Sequence, residues 1–322
     1  MLRKRWPKGG DSAKPRPCKA SSRAHLDDID DFSTEDIVIA VMGPTGSGKS
    51  TFVNHITGEE AKVGHSFHSC TSEVQIYKLQ SPNGTYDLVF VDTPGFDDTQ
   101  KSDTVILTLI SDWLNKTYKN KILLSGIIYF HRISDNRMAG TTLKNLGLFQ
   151  KLCGENTLEN VILTTTMWDK VDELTASSRE EVLVSTQWRY MLSKKSRTSR
   201  FLNTRESAWA VIDPILLSAH QKRALLLQTE MGELQRTLPE TSAGYALFNN
   251  MNELLKKQQH VLRMLRRCRE EMIKSTDSDA LETLTAEYNR LRQEVGGTME
   301  ELEALRVPFG KRLLLKLRRF GP

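Results

Sequence analysis

Eight residues constrain this chain more than any others: Gly43-Pro44-Thr45-Gly46-Ser47-Gly48-Lys49-Ser50. They follow the apolar run Ile37-Val38-Ile39-Ala40-Val41-Met42, which reads as a buried strand, and precede Phe52-Val53-Asn54-His55-Ile56, which reads as a helix. Strand, glycine-rich turn and helix, in that order, form the setting of a phosphate-binding loop. The glycines let successive backbone N–H groups turn inward around a polyphosphate, and the new helix adds the positive end of its dipole. Lys49 is placed to reach the outer phosphates. The Ser50 hydroxyl, with Thr51 beside it, is placed to ligate Mg2+. A glycine turn arising by chance would lack both flanking elements, so the motif implies a bound nucleotide.

At 322 residues the chain has room for one large domain or two modest ones. Its formal charge of +5 is mild for that length and does not argue for nucleic acid, so no specific nucleic-acid partner is expected. The basic residues are uneven, however. Arg3, Lys4, Arg5, Lys8, Lys14, Arg16, Lys19 and Arg23 crowd the N-terminus, and the prolines and glycines among them oppose a presequence helix. Residues 1–35 therefore read as a disordered basic arm. Four scattered cysteines, Cys18, Cys70, Cys153 and Cys268, suit a reducing compartment, and a cytoplasmic location is expected.

Beyond the loop helix, Glu73 to Leu79 alternates as a half-buried strand does, Ser81-Pro82-Asn83-Gly84 is hairpin-turn chemistry, and Thr85 to Val91 is the returning strand. That strand delivers Asp92-Thr93-Pro94-Gly95. In P-loop nucleotidases an aspartate here holds Mg2+ through water, and the glycine N–H can donate to the terminal phosphate. Helical spacing follows over Asp103 to Tyr118, a continuous apolar run over Lys121 to Phe130, a helix over Gly140 to Cys153, and a buried strand over Val161 to Thr166. An amphipathic helix over Ser177 to Ser193 and a short last strand at Phe201-Leu202 complete the unit. Strands alternating with helices predict an α/β three-layer fold with a mainly parallel sheet over residues 36–217.

From Ser218 the composition turns to Leu, Glu, Lys, Arg and Gln. Leu247, Met251, Leu254, Val261, Leu265, Cys268 and Met272 recur at heptad-like steps. After a break, with Asp279 as N-cap and Glu282 as its box partner, Leu281, Leu284, Tyr288, Leu291, Val295, Leu302 and Leu305 resume them, with Gly296-Gly297 a weak point. Residues 218–307 are expected to form a helical hairpin, a coiled coil with another chain, or a helical subdomain packed on the first unit. Residues 308–322 mix Lys311, Arg312, Lys316, Arg318 and Arg319 with leucines, so the segment is either a basic helical end or an amphipathic tail for an anionic membrane surface.

Guanine selection needs a carboxylate that accepts from both N1–H and the 2-amino group. Thr166-Met167-Trp168-Asp169 ends the fifth strand of the unit, where Asn or Thr, Lys, any residue and Asp are usual. Asp169 is the recognition candidate, Thr166 the tie to the P-loop, and Met167 replaces the lysine whose stem covers the base. Ser207-Ala208, and less so Ser218-Ala219, are candidates for a second guanine contact. Either pair reads equally well as a helix cap.

With Gly43–Ser50, Val63-Gly64-His65-Ser66, Ser69-Cys70-Thr71-Ser72-Glu73, Asp92-Thr93-Pro94-Gly95-Phe96-Asp97-Asp98, Tyr129 to Asp135 and Glu206-Ser207-Ala208 assembled, the chain resembles the translation-factor-type (TRAFAC) GTPases. More narrowly, it is similar to fungal G-domain proteins grouped near the septin and immunity-associated GTPases. The resemblance implies a Ras-like fold, GTP or GDP and Mg2+ as ligands, and a C-terminal coiled-coil region. It puts Thr71, with Ser72 as neighbouring alternative, in a first switch as an Mg2+ ligand. It puts Phe96 where many such proteins carry a water-orienting glutamine, which predicts slow hydrolysis relying on another group: Arg132, Arg137 and His131 are the candidates, in cis or across a homodimer formed through the G domain or the coiled coil, unless His131-Arg132 merely stabilises the loop after the fourth strand. The alternative is a GTP-responsive scaffold that hydrolyses little. His65, His68 and Cys70 have a spacing that could bind zinc but lack a fourth ligand.

Overall fold

The computed structural model describes residues 20–24, 32–58, 74–80, 87–98, 101–136, 140–219, 221–273 and 278–307. Their strands are β1 (Ala20–Ala24), β2 (Ile37–Met42), β3 (Gln75–Gln80), β4 (Asp87–Asp92), β5 (Gly126–Arg132), β6 (Val161–Thr166) and β7 (Arg197–Arg200). They form one sheet in the order β1-β3-β4-β2-β5-β6-β7. The run β4-β2-β5-β6-β7 is parallel, whereas β3 pairs antiparallel with β4 and β1 antiparallel with β3. This is the Ras-like P-loop arrangement with one further edge strand.

Helices cover both faces, and strand alternation decides which residues go where. On one side Ile39, Val41, Phe90, Ile128 and Phe130 pack against α1 (Lys49–Thr57) and α6 (Arg205–Leu217). On the other, Val38, Ala40, Met42, Val91 and Tyr129 pack against α2 (Asp103–Lys119) and α3 (Thr141–Cys153). Between β6 and β7 run α4 (Glu173–Val182), a π-helical turn (Leu183–Gln187) and α5 (Arg189–Ser193).

Beyond α6, α7 (Leu226–Gly232) lies against α2 and α3. Gln228 Nε2 donates to the Leu114 carbonyl and the Thr117 hydroxyl, both at 3.2 Å. The long helices α8 (Ser242–Met272) and α9 (Ser278–Ala304) then form an antiparallel hairpin. The Arg269 guanidinium caps the Tyr288 ring at 4.4 Å towards its tip. Leu247 and Leu305 join the core beneath α2 and α3 at its base. No described helix is long and apolar enough to cross a membrane.

Several expectations change. Within the stretch read as disordered, Ala20–Ala24 is a strand, because β3 otherwise ends the sheet with an unpaired row of backbone groups. The apolar run from Lys121 becomes strand only at Gly126; before it, Ser125 N donates to the Val38 carbonyl in a connecting bend. The single helix expected over Ser177 to Ser193 starts earlier, at Glu173, where Asp172 caps it by accepting from Thr175 N at 2.9 Å. The π turn interrupts it and carries Trp188 into the core. The last strand is the polar Arg197–Arg200, an edge strand with little apolar signature. Phe201 lies just past it, in an aromatic cluster with Phe52 and Phe130. Asp279 lies one residue inside α9 rather than at its cap. In the distal half of α8, Leu255, Leu262 and Leu265 turn towards α9, while Leu254 and Val261, each 46 % exposed, face water.

Candidate nucleotide site

β2 is apolar throughout and ends between β4 and β5, so the chain must turn sharply at the carboxyl edge of the sheet. Gly43 makes that turn with φ 140°, and a Cβ there would stand 2.6 Å from the Phe130 carbonyl oxygen, so no side chain fits. Gly46 (φ 72°) and Gly48 (φ 89°) wind the loop, and α1 starts at Lys49 directly behind Gly48. The result is a ring of backbone N–H groups at a helix N-terminus.

Lys49 is buried, and its Nζ donates to the carbonyls of Gly43 (3.1 Å) and Pro44 (3.0 Å). Burial lowers its pKa to about 8, Asp92 and Asp98 counteract that, and the Arg132 charge lowers it further. The Ser50 hydroxyl donates to Asp92 Oδ2 at 2.6 Å. Asp92 is buried at the end of β4, beside Thr93, whose N–H and hydroxyl both donate to the Val41 carbonyl (3.2 and 2.9 Å). A hydroxyl and a carboxylate at that separation, both oxygen donors at the mouth of the phosphate cradle, fit a hard cation such as Mg2+.

The segment after β4 lies directly against the cradle. Thr45 N–H donates to the Phe96 carbonyl at 3.0 Å, and its hydroxyl donates to the Gly95 carbonyl at 3.2 Å. Gly95 is so close that a Cβ would fall 2.5 Å from Thr45 N. The Phe96 ring is buried in the core, so the residue standing at the glutamine position presents nothing to a phosphate.

At the other end, the Thr166 hydroxyl donates to the Ser47 carbonyl at 2.9 Å, tying the loop after β6 to the P-loop as expected. Met167 takes a left-handed conformation (φ 61°), and its methyl group reaches over Gly48. Asp169 is half exposed, with Lys170 Nζ at 3.2 Å. Behind it the Arg200 guanidinium stacks 4.1 Å from the Trp168 ring centre, and Trp168 Nε1 donates to the Thr165 hydroxyl at 3.1 Å.

Ser207 and Ala208 take the helix-cap reading of the two given for them. Ser207 lies one turn inside α6, where its hydroxyl accepts from the N–H groups of Leu202 (3.1 Å) and Thr204 (3.3 Å), and Ala208 is fully buried. Ser207 and Thr204 form a capping box at the start of α6, and just before it Asn203 is left-handed (φ 57°) with its Oδ1 3.1 Å from His55 Nε2. Ser218 caps the end of α6.

Arg132, the last residue of β5, overhangs the P-loop. Its guanidinium would touch a Cβ on Gly46 at 3.4 Å, and Asp135 holds its Nε at 3.1–3.2 Å. Arg179 of α4, unanticipated from sequence, pins this loop by donating to the carbonyls of Ile133 (2.9 Å) and Ser134 (3.0 Å). His131 points the opposite way, 2 % exposed and edge-on to Trp188, and does not reach the site. Thr71, Ser72, His65, His68, Cys70 and Arg137, and the tail 308–322, lie outside the described residues.

Residues 38–142, which span the P-loop, Asp92 and Arg132, match a family model described as 50S ribosome-binding GTPase. The chain carries a P-loop G domain. A curated relative is the uncharacterized protein YfjP of Escherichia coli (strain K12), 22 % identical over 170 residues, which are 53 % of each chain. This chain thus spans about half the length of that relative. Solved structures similar to the G domain include Toc33 from Arabidopsis thaliana with Mg2+ and GMPPNP, at 16 % identity and TM-score 0.47, covering 62 % of this chain and 93 % of that one. Era with MgGDPNP and 16S ribosomal RNA is another, at 16 % identity and TM-score 0.39, covering 56 % and 55 %. The strand order and loop geometry of the G domain establish its fold without them.

Proposed function

We propose that the chain is a Mg2+-dependent GTP-binding switch that hydrolyses GTP slowly. The observation that carries this reading is the Thr166–Ser47 hydrogen bond, which fastens the Asp169 loop to the phosphate cradle so that both ends of one nucleotide are served together. In this reading the N–H groups of Gly46, Ser47, Gly48 and Lys49 hold the phosphates, with Pro44 and Thr51 shaping either end of the cradle. Lys49 turns from the Gly43 and Pro44 carbonyls onto the outer phosphates. Ser50, Asp92 and, by resemblance, Thr71 hold Mg2+, which neutralises phosphate charge when bound. Gly95 N–H meets the terminal phosphate. Asp169 reads guanine, and Met167 covers the base.

Phe96 supports slow turnover, because its ring is buried and its carbonyl is engaged with Thr45. The same observation favours a second reading, a GTP-responsive scaffold that oligomerises through the G domain or the helical hairpin with little hydrolysis. A cytoplasmic setting, membrane contact through 308–322 and kinship with the septin and immunity-associated group belong to the proposal on the sequence grounds given above. Titration with GTP, GDP and ATP in the presence of Mg2+ tests it. Guanine nucleotides are expected to bind more tightly, and tighter binding of ATP would sink the guanine assignment.

A further inference from the structure

The segment that closes on the P-loop continues into a strained residue. Asp97, directly after Phe96, is held at φ 67°, a left-handed conformation that a side chain disfavours. Two ties keep it there. Its N–H donates to Asp103 Oδ1 at 3.0 Å, in the first turn of α2, and its carboxylate accepts from the Thr141 hydroxyl at 3.5 Å, in the first turn of α3. Asp97 thus links the segment after β4 to the N-termini of two helices at once.

The helical hairpin rests on those same two helices, near those same ends. The Thr104 hydroxyl, next to Asp103, donates to Met251 Sδ at 3.3 Å. Lys144, one turn after Thr141, donates to the Asn250 carbonyl (3.4 Å) and pairs with Glu253 (3.5 Å). Burial, and the charges of Asp97 and Glu301, push the Asp103 carboxyl above its usual range, against the pull of the Asp97 N–H. The charges of Asp97 and Glu301 thus both disfavour an ionised Asp103 where α2 receives the strained residue.

A terminal phosphate in the cradle has to be met by N–H groups from both sides. In the reading above the Gly95 N–H meets that phosphate, and any shift of Gly95 towards it works against the bonds that Thr45 makes to the Gly95 and Phe96 carbonyls. Asp97 cannot keep both ties while its neighbour moves. We propose that the α8–α9 hairpin is the output arm of the nucleotide site: clamped on α2 and α3 while the terminal phosphate is absent, and loosened when that phosphate draws Gly95 and Phe96 away and Asp97 leaves its left-handed turn. The coupling rests on the reading of the site as a GTP site. It extends that reading by naming the element that changes and the joint that transmits the change.

Hydrogen exchange of the full chain, followed by mass spectrometry over 242–272 and 278–304, tests it with Mg2+ and either GDP or a non-hydrolysable GTP analogue. Saturation is established beforehand by an independent binding titration. The hairpin amides are expected to exchange at least ~5-fold faster with the triphosphate analogue, the lower end of ordinary coupling. Asp97→Gly, which takes the left-handed turn without strain but loses the carboxylate tie to Thr141, is expected to make hairpin exchange the same with both nucleotides, and Glu301→Gln to slow exchange in both. Equal protection with both nucleotides bound to the wild-type chain overturns the coupling and leaves the site reading standing. Failure of both nucleotides to bind overturns the site reading, and the coupling with it. An Asp97→Gly variant that opens like the wild type removes Asp97 as the joint.

Discussion

The Thr166 hydroxyl and the Ser47 carbonyl, 119 positions apart in sequence, meet at 2.9 Å in the interior of the G domain. This one bond sets the distance between the phosphate cradle and the loop that carries Asp169. Replacing Thr166 with valine keeps the shape and removes the donor, leaving a buried carbonyl with one partner fewer. GTP affinity is expected to fall by about 5-fold, the effect of one ordinary hydrogen bond, with the melting temperature lowered by about 2–4 °C. Calorimetric titration of Thr166→Val beside the wild type measures it.

Ser50 and Asp92 share a 2.6 Å hydrogen bond where the cation is proposed to sit. Ser50→Ala is expected to fold normally and to lose most of the Mg2+ stimulation of nucleotide binding. Affinity in EDTA should stay within about 3-fold of the wild type, because only a metal ligand has been removed. A variant still fully stimulated by Mg2+ would place the cation elsewhere.

Asp169→Asn replaces a double acceptor with a group that accepts and donates. A hydrogen bond to a charged group, lost and replaced by a mismatch, is expected to cut GTP affinity by roughly 10- to 100-fold while leaving ATP affinity nearly unchanged. Competition between the two nucleotides for a fluorescent analogue measures the ratio directly.

Arg132 overhangs Gly46 and is steadied by Asp135. If it supplies positive charge to the developing phosphates, Arg132→Ala should lower turnover by about 10-fold or more with KM little changed, and Arg132→Lys should recover part of it. Unchanged turnover of Arg132→Ala across a range of protein concentrations would remove this residue from the hydrolysis step.

His131 bears on stability rather than chemistry. Burial lowers its pKa from 6.5 to about 4; Asp135 opposes the shift, and Arg132 adds to it. The unfolded chain therefore binds this proton before the folded chain does. The resulting stability is complete above the unfolded value and is lost as pH falls through the window between the two, by at most about 3 kcal/mol. Denaturant titrations between pH 7 and pH 4.5 should show a shallower acid loss for His131→Phe than for the wild type.

Legibility in the sequence divided along a physical line. The P-loop, Asp92 and Thr166 were readable because each is fixed by its immediate neighbours: a buried strand before it and a helix or turn after it. Ser207-Ala208 stayed open between two readings because a serine that caps a helix and a serine that faces a purine sit in the same local pattern. Only the position of β7, a polar edge strand with no apolar signature, separates them. The inward face of α8 was misjudged by one residue, Leu254 for Leu255 and Val261 for Leu262, because a stripe of leucines and valines leaves the helix rotation to tertiary contacts. The left-handed Asp97 and the Arg179 clasp of the loop after β5 are invisible in sequence, since they involve partners as far off as Thr141, 44 positions on, and Ile133, 46 positions back.

The change in composition near residue 218 is not a seam. Leu225, Leu227, Ala243, Leu247 and Leu305 belong to the same apolar cluster as Trp113 on α2 and Phe149 on α3. A Cβ on Gly154 would fall 2.6 Å from the Leu226 side chain, so α7 lies against the end of α3 with no gap to cut through. A fragment ending at residue 217 would carry the whole phosphate cradle and still be an open half-shell, with the outer sides of α2 and α3 stripped to water. Such a fragment should aggregate rather than report on nucleotide binding, so in this chain the G domain and its helical hairpin have to be made, handled and inherited as one piece.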